Sequence, residues 1–563
     1  MKYEMLINWF PLLRDLRNYK IAWLTRDTIA GLSVIAVQIP TAMAYANMAG
    51  FSPQVGLYAS MLPVIVYALF SSSRQLVVGP DAATCAMIAA LLLPLAHGNT
   101  TYYLELMAGL TITTGLLMVI GGYAHLGFFV NFFSFPVLVG YLNGIALSII
   151  AGQMGKMLGV TVTSRDFVIS LLELSEHLGE TSFLTLILGT GTLALLVLVN
   201  HLAPRAPTAL IALASAGMLA YGFGMEKEGV LLVGAMPSKL PAFSLPGLGY
   251  HGIQSIFMDS VALLVVSFTS GMLTARSFAS RNNYSINADQ EMRAVGFANI
   301  TSGLFGGFAV TGADSRTAIN NASGGKTQMV SVIAGLGTTC VVLFLSAPLG
   351  QLPITGLAAV LIFSAWGLLD IVAWKKLFKL SRFEFWLSLL TTIGVLTIGV
   401  LPGVVLAISL ALIHVLQKIY QPKDAILGVI PEMDGYNDIA LSPDSKTIPG
   451  IIIYRIGGPL LFFNAEFFKS RIHELVDGAD IPPRWLVLSM EAVTQLDVTG
   501  IQAQIEICHE LERKGVQILL ARPMQFVINF REHLDAQDQL GKENIFPSVR
   551  SAVEYILALE PLD

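Results

Sequence analysis

The sequence predicts a polytopic α-helical membrane protein that ends in a small α/β domain. Of its 563 residues, 54% are hydrophobic and only 13% are charged, and the mean hydropathy is +0.68. This is the composition of an integral membrane protein. Apolar runs of about 20 residues recur along the chain, which is the length needed to cross the hydrocarbon core of a bilayer. These runs stop after Gln421-Pro422-Lys423, where the composition becomes that of a soluble domain.

Fourteen membrane elements are expected, in two groups of seven. The first group comprises 27–47, 53–71, 80–96, 102–121, 127–155, 183–202 and 206–224. The second comprises 254–275, 291–308, a short helix from 315, 328–347, 353–372, 383–400 and 402–420. The predicted organisation is an N-terminal segment 1–26, a membrane domain 27–421 with repeats over about 27–224 and 254–420, and a tail domain 425–563.

Basic residues predict the orientation in the membrane. Arg74, Arg276, Arg281, Lys326 and Lys375 all fall at loops that this count places on one side. Cytoplasmic loops carry an excess of lysine and arginine, so both termini are expected in the cytoplasm. No cleavable signal peptide is expected at the N-terminus. The protein is therefore predicted to be a multi-pass protein of the inner (plasma) membrane.

The stretch 306–328 carries charge between two long apolar spans. Small residues precede Asp314, which argues against a continuous helix, and Ser315-Arg316 would open a short new one. A helix N-terminus presents unpaired N–H groups and a partial positive charge, so with Arg316 in its first turn it becomes a site for an anion. The alternative is a basic residue at a cytoplasmic helix end. An arginine inside the bilayer costs roughly 2.5–3.5 kcal/mol on insertion scales, which favours the functional interpretation.

The first group has a matching interruption at Val78-Gly79-Pro80-Asp81. Interrupted spans at corresponding positions of two halves indicate an inverted-repeat transporter with its site near the bilayer midplane. Two half-helix N-termini that face each other beside one arginine would form an anion pocket. Asp81 has a simpler interpretation as an acid that complements a helix N-terminus.

The tail reads as an alternation of strands and helices. Buried strands are predicted at 451–456, 485–488 and 516–520, with a helix at 502–514. Asp497-Val498-Thr499-Gly500 lies between a strand and a helix, which favours helix capping.

Several motifs resemble the SulP sulfate-permease family (solute carrier 26) of anion transporters. In the membrane domain they are Gln38–Ala46, Gly56-Leu57-Tyr58, Ser73-Arg74 with Gly79-Pro80, Ser315-Arg316 and Gly324–Gln328. In the tail, Pro459–Ala465 and Leu496–Gly500 resemble the STAS domain that usually ends such chains. The resemblance implies a seven-plus-seven inverted repeat with core and gate bundles, usually dimeric, in which the core moves like an elevator.

The resemblance also implies site residues. Family site positions fall on Gln38, Thr41, Tyr45, Asp81, Ala82, Ser315 and Arg316. Many bacterial relatives have an acidic residue in the eighth span, thought to couple cation or proton movement, where this chain has Ser270. Coupling is therefore assigned as a hypothesis to Asp81 or Asp314, with a local cap or a partner for Arg316 as the alternative for Asp314. Ser270 is either an anion ligand or a packing residue. Thr499 matches the serine that is phosphorylated in sigma-factor regulators, which makes it a candidate phosphosite.

The expected function is secondary transport of a small inorganic anion, sulfate first, either by symport with H⁺ or Na⁺ or by exchange. Bicarbonate, chloride, another oxyanion or a dicarboxylate are alternative substrates. A passive anion channel and a membrane sensor that signals through its tail are rival classes. No enzyme chemistry or cofactor is expected, since the nine histidines and three cysteines form no nucleophile–base constellation. The three cysteines lie in two apolar spans and in the tail, so no disulfide or metal site is expected. The net charge of −5 gives no support for nucleic-acid binding.

Overall fold

A computed structural model describes residues 11–12, 17, 19–128, 134–162, 167–203, 206–236, 238–430, 435–525 and 544–559. Much of the predicted N-terminal segment 1–26 lies outside these residues. The chain divides into two compact units, Met1–Ser409 and Leu410–Asp563.

The first unit is helical apart from two short strands. Its elements, in chain order, are α1 Ile21–Met48, α2 Pro53–Tyr58, α3 Leu62–Phe70, β1 Val78–Gly79, α4 Ala82–Ala96, α5 Thr100–Tyr123, α6 Phe135–Leu158, α7 Phe167–Glu176, α8 Phe183–Leu202, α9 Thr208–Gly222, α10 Tyr250–Arg281, α11 Ala288–Leu304, β2 Thr311–Gly312, α12 Asp314–Ala322, α13 Met329–Phe344, α14 Ser346–Gly350, α15 Ile354–Trp366, α16 Ile371–Leu380, α17 Arg382–Thr397 and α18 Val400–Tyr420. Helix α18 continues into the second unit.

Each of the fourteen predicted spans contains a helix. Among the described residues, seven helical segments are long and apolar enough to cross a membrane by themselves, and α4, α9, α13 and part of α18 are shorter apolar helices. The second span is divided into α2 and α3, and the fifth begins at Phe135, with Pro136 in its first turn, because proline is tolerated only there without loss of a hydrogen bond. The short helices α7, α14 and α16 are not among the predicted elements.

The helices of the first unit form two bundles. Helices α1–α5 pack with α10–α13, and α6–α9 pack with α15–α17. We call these the first and the second bundle. Each bundle therefore combines helices from both halves of the chain. Helices α1 and α4 of the first bundle contact α6, α9 and α15 of the second.

The motif Gly324–Gln328 closes the first bundle through hydrogen bonds to loops and helix ends. The buried Asp27 carboxylate accepts hydrogen bonds from Lys326 N and from Thr327 Oγ1, each at 2.6 Å. Gln328 Nε2 donates to Ser73 O at 2.8 Å. Buried carboxylates and amides need such partners, so this motif has a structural role.

The second unit contains a six-stranded sheet in the order β4-β3-β5-β6-β7-β8. Its elements are β3 Asp424–Val429, β4 Tyr436–Asp438, β5 Ile451–Ile456, α19 Ala465–Asp477, β6 Trp485–Ser489, α20 Val498–Arg513, β7 Gln517–Ala521, β8 Ile545–Phe546 and α21 Val549–Leu559. β5 to β8 are parallel, and β3 pairs antiparallel with β4 and β5. The three predicted strands and the predicted helix are present, each within a few residues of the expected bounds.

Both faces of this sheet are covered. Leu486 and Leu488 of β6 belong to a core that includes residues of α19 and α20, whereas Val487 belongs to a core that includes α21. Alternate residues of a strand point to opposite faces, so one buried strand serves both cores.

The start of α20 has the geometry of a capped helix. Asp497 Oδ1 accepts from Gly500 N and Oδ2 accepts from Phe462 N, both at 2.8 Å. Thr499 is exposed in the first turn. The capping interpretation of this motif therefore has direct structural support, and the Thr499 hydroxyl is accessible.

Candidate anion-binding site

The two interrupted segments of the sequence meet in a two-stranded antiparallel sheet. β1 pairs with β2 with Val78 opposite Gly312 and Gly79 opposite Thr311. Helix α4 begins three residues after β1, and α12 begins two residues after β2. The pairing brings the two half-helix N-termini together, and the N–H groups of each first turn have no intrahelical partner. Their partial positive charges therefore converge on one region.

Arg316 lies against the segment that joins β1 to α4. Its side chain is 1% exposed, Nη2 donates to Pro80 O, and Nη1 has no hydrogen-bond partner among the described residues. The ionisable side chains of Tyr45, Asp81 and Cys85 lie close enough to interact with it electrostatically. The guanidinium is thus a buried positive charge held against the start of α4, and no described carboxylate forms an ion pair with it.

The two candidate coupling carboxylates have separate partners. Asp81 precedes α4 and its Oδ2 accepts from Ala83 N at 3.2 Å, as a helix cap does. Asp314, in the first turn of α12, accepts a hydrogen bond from Thr274 Oγ1 of α10. Asp81 also lies within electrostatic range of both Asp314 and Arg316. Of the two alternatives for Asp314, a local cap or a partner for Arg316, the second is not found among the described ion pairs, and its described side-chain hydrogen bond is with Thr274.

The three candidate site residues on α1 make different contacts. Gln38 is buried, donates through Nε2 to Ser60 O at 2.8 Å, and has an Oε1 with no described partner. Thr41 Oγ1 donates to Val37 O at 2.8 Å within the helix. Tyr45 interacts electrostatically with the site and reaches Ser364 of α15 with its hydroxyl group. Of the three, Tyr45 is therefore the one that links the charged groups of the first bundle to the second bundle.

The remaining candidates lie around the half-helix N-termini. Ser315 is exposed in the first turn of α12, and Ala82 is buried at the first position of α4. Ser270 lies on α10, and its carbonyl oxygen is 3.2 Å from Thr274 Oγ1, so it shares the single hydroxyl hydrogen of Thr274 with Asp314. The next residue, Gly271, packs directly on β2, because a Cβ there would meet Thr311 Oγ1 at 2.9 Å. Ser270 therefore stands beside the β1–β2 pair.

Sequence reasoning missed Gly79 and Thr274 as functional candidates. A Cβ at Gly79 would overlap the guanidinium of Arg316, and the residue has φ +154°. Thr274 follows Ser270 by four residues on α10, so both lie on one helix face. The spacing of four residues could have identified Thr274 as a neighbour of Ser270. The contact of Gly79 with Arg316 joins two distant parts of the chain, so no local pattern could have identified it.

Family models match two parts of the chain. Residues 24–391 match the model described as "Sulfate permease family", and residues 442–552 match the STAS domain. A Mycobacterium tuberculosis protein named as a probable sulfate transporter is 38% identical over 550 residues, which are 97% of this chain and 98% of the relative.

Solved structures have the same fold. A murine solute carrier 26 family member A9 anion transporter in the inward-facing state matches with a TM-score of 0.92 at 22% identity, covering 99% of this chain and 95% of the other. The transmembrane domain of a cyanobacterial bicarbonate transporter matches with a TM-score of 0.61 at 21% identity, covering 70% of this chain and 98% of that domain. The predicted fold class, a polytopic helical membrane protein with a C-terminal STAS domain, is confirmed.

Proposed function

Because the chain belongs to the sulfate permease family, we propose that it is a secondary transporter of a small inorganic oxyanion, sulfate first. The observation that carries the proposal is the buried guanidinium of Arg316, which lies beside two half-helix N-termini that follow the paired strands β1 and β2. Sulfate is placed before bicarbonate because the Mycobacterium tuberculosis relative is named as a probable sulfate transporter. That relative is 38% identical to this chain, whereas the bicarbonate transporter domain is 21% identical.

The anion binds where the two N-termini converge. Backbone N–H groups of α4, beginning at Ala82, and of α12 donate hydrogen bonds, and the exposed Ser315 hydroxyl adds a donor. Arg316 offsets the cost of anion desolvation from behind, since its unpaired Nη1 is a charged donor in a dry environment. Tyr45 contributes its hydroxyl from α1, and Gln38, Thr41 and Ser270 complete the surroundings.

Asp81 and Asp314 couple transport to a cation. A carboxylate beside an anion site repels the substrate unless it binds a proton or a cation. Asp81 interacts electrostatically with both Asp314 and Arg316, so a change of its charge is felt at the site. This chain has Ser270 where many bacterial relatives have an acid, and the two aspartates supply the negative charge from neighbouring elements.

Transport occurs by an elevator movement of the first bundle against the second. All elements of the site except Tyr45's partner Ser364 belong to the first bundle, so the site can move with it as one body. The contact surface is limited to a few helices, chiefly α1 and α4 on one side. The protein works as a homodimer in the inner membrane with both termini in the cytoplasm.

The test is radiolabelled sulfate uptake into proteoliposomes, with and without an inward proton or sodium gradient. Wild type is compared with Arg316→Ala and with Arg382→Ala, which removes an exposed arginine at the start of α17. Saturable uptake that is lost only in Arg316→Ala supports the site. Loss of gradient stimulation in Asp81→Asn or Asp314→Asn, with Glu228→Gln as the exposed control, supports coupling.

Three other outcomes would redirect the proposal. Uptake of bicarbonate or chloride without sulfate uptake would overturn the substrate choice and keep the site. Flux that does not saturate and ignores counter-ions would identify a passive channel. Full uptake after deletion of 425–563 would argue against a sensor whose main output is the STAS domain.

A further inference from the structure

An apolar crevice opens between the two bundles of the first unit. It measures about 460 Å³, and its walls come from α1, α9 and the corner between α13 and α15. None of the described residues that line it is charged. Leu213 at the back is 1% exposed, whereas Met218 and Leu345 at the rim are 75% and 51% exposed. The crevice is therefore a deep feature that is open to the surroundings of the protein.

The surroundings at this depth are hydrocarbon. Helix α1 has 28 residues, and the wall residues Leu32 and Pro40 lie about 16 and 28 Å from its start at 1.5 Å per residue. This is the central part of a helix of about 42 Å, which is longer than the roughly 30 Å hydrocarbon core. Residues from Leu210 to Tyr221 extend the wall along nearly the whole of α9. Water is excluded there, so lipid or protein must cover these apolar side chains.

The polarity of the crevice is not uniform. Two of its lining residues are polar, Tyr221 in the last turn of α9 and Gln351 just after α14. Tyrosine at a helix end is typical of the membrane–water interface, where its ring is buried and its hydroxyl is wet. A long apolar slot with polar groups confined to one end matches an amphiphile that has a single polar end.

We propose that the acyl chain of a membrane lipid occupies this crevice. Its ester and headgroup region lies beside Tyr221 and Gln351, and the chain runs inward along Ile39 and Leu213. The volume falls within the range of roughly 300–1,000 Å³ that is usual for small-molecule sites. A hydrophilic anion is excluded as the occupant because the walls offer no charged group to replace its hydration.

An acyl chain in this position contacts both bundles. Ile35 and Ile39 belong to α1, the same helix that carries Gln38, Thr41 and Tyr45, while Leu213 and Gly217 belong to the second bundle. If the first bundle moves during transport, these walls change their separation and the lipid must leave or rearrange. This consequence rests on the proposed transport function, whereas occupancy of the crevice does not.

The test is photolabelling of the full-length protein in phosphatidylcholine vesicles. A fraction of the lipid carries a diazirine in the acyl chain, and adducts are located by peptide mass spectrometry. We expect adducts on the partly exposed wall residues Ile35, Ala214 and Val341. Ala36→Phe fills the slot from α1 and lowers the adduct yield on α9 by about tenfold, the factor expected when burial of roughly two methylene groups is lost. The matched control is Ala194→Phe on the exposed side of α8, which leaves the yield unchanged.

Ala214→Phe fills the same slot from the opposite wall, and it replaces Ala36→Phe if that variant is not monodisperse. Unchanged yields on α9 in both filled variants would overturn the proposal. A yield that falls as the protein-to-lipid ratio rises would assign the crevice to a contact with a second copy of the chain. Labelling requires no transport, so a lack of sulfate uptake by wild type would overturn the proposed function and leave this result in place.

Discussion

The guanidinium of Arg316 lies so close to Gly79 that position 79 has no room for a side chain. A Cβ added there would overlap Nη1 of the arginine, and the backbone at Gly79 has φ +154°, which glycine alone adopts without strain. Nη2 of the same guanidinium donates to Pro80 O. Gly79, in the first half of the chain, therefore determines the position of the Arg316 guanidinium, which belongs to the second half.

Gly79→Ala is expected to displace Arg316 and to reduce sulfate uptake to the level of Arg316→Ala. The strained backbone adds a loss of about 1–3 kcal/mol in the free energy of unfolding. Uptake and the thermal unfolding temperature of the purified protein are measured together. Gly191→Ala in α8 is the control, because a Cβ there meets nothing within 4 Å. Wild-type uptake by Gly79→Ala would mean that the position of Arg316 does not matter for transport.

Thr274→Val is expected to reduce uptake roughly tenfold, since a hydrogen bond to a charged group contributes about 1.5–3 kcal/mol. The valine has the shape of threonine but leaves Asp314 without its donor from α10. Uptake is measured over a range of external pH, because the charge state of Asp314 is what the hydroxyl stabilises. Thr274→Ser keeps the hydroxyl and restores uptake. Equal loss in the serine variant would assign the effect to packing of the methyl group.

Glu291→Leu is expected to destabilise the first unit strongly, whereas Glu291→Gln is tolerated. The buried carboxylate accepts from Tyr67 Oη at 2.7 Å and from Ser72 N and Ser73 N at 2.6 and 2.8 Å. Each buried donor left without a partner costs about 1–3 kcal/mol, and a glutamine oxygen still serves the two N–H groups. Thermal unfolding of the purified protein distinguishes the two variants. Glu384→Leu, at a first-turn acid of α17, provides the comparison, and a shift as large there would refute the specific role of Glu291.

Asn464→Ala is expected to loosen the end of α18 from the loop that follows β5. The buried side chain donates to Ile419 O at 3.1 Å and to Pro459 O at 2.8 Å, and it accepts from Leu461 N at 2.8 Å. Its loss leaves three backbone groups without this partner, at a cost of about 1–3 kcal/mol. Amide hydrogen exchange of 459–464 in the full-length protein should become faster.

The control for this variant is Gln495→Ala, which changes an exposed side chain near the same loop. Exchange rates at 459–464 that stay unchanged in Asn464→Ala would show that the loop is held by other contacts. In that case Asn464 would stabilise only the turn over residues 459–464 and would not connect it to α18.

The elements that depend on local composition could be predicted from the sequence. Membrane crossing requires long apolar runs, so the spans around Ile21–Met48 and Phe183–Leu202 were evident. The half-helices were also evident, because Pro80 with Asp81 and Ala313 with Asp314 interrupt apolar runs at the residues where α4 and α12 begin. In these cases the residues that predict an element are the same residues that form it.

The contacts that join distant segments could not be predicted in this way. Glu291 is an acid in the first turn of α11, and its carboxylate lies among the serines of a loop more than 200 residues earlier. Asp314 was considered as a partner for Arg316, but a hydroxyl from α10 is its donor. Such pairings depend on how helices from the two halves pack, and no local pattern encodes that arrangement.

The composition of the first bundle has a consequence for the order in which the protein is made. Helices α1–α5 make most of their contacts with α10–α13, and α1 and α4 make smaller contacts with α9 and α6, which follow them in the chain. During synthesis, the first five helices must remain in the membrane without their partners until residues beyond α9 have been inserted. Strand β1 can pair with β2 only after Thr311 has been synthesised. The β1–β2 pair and the contact of Arg316 with Pro80 therefore form late in biogenesis, and a ribosome that stalls between the two halves leaves the polar groups of the first half without these partners.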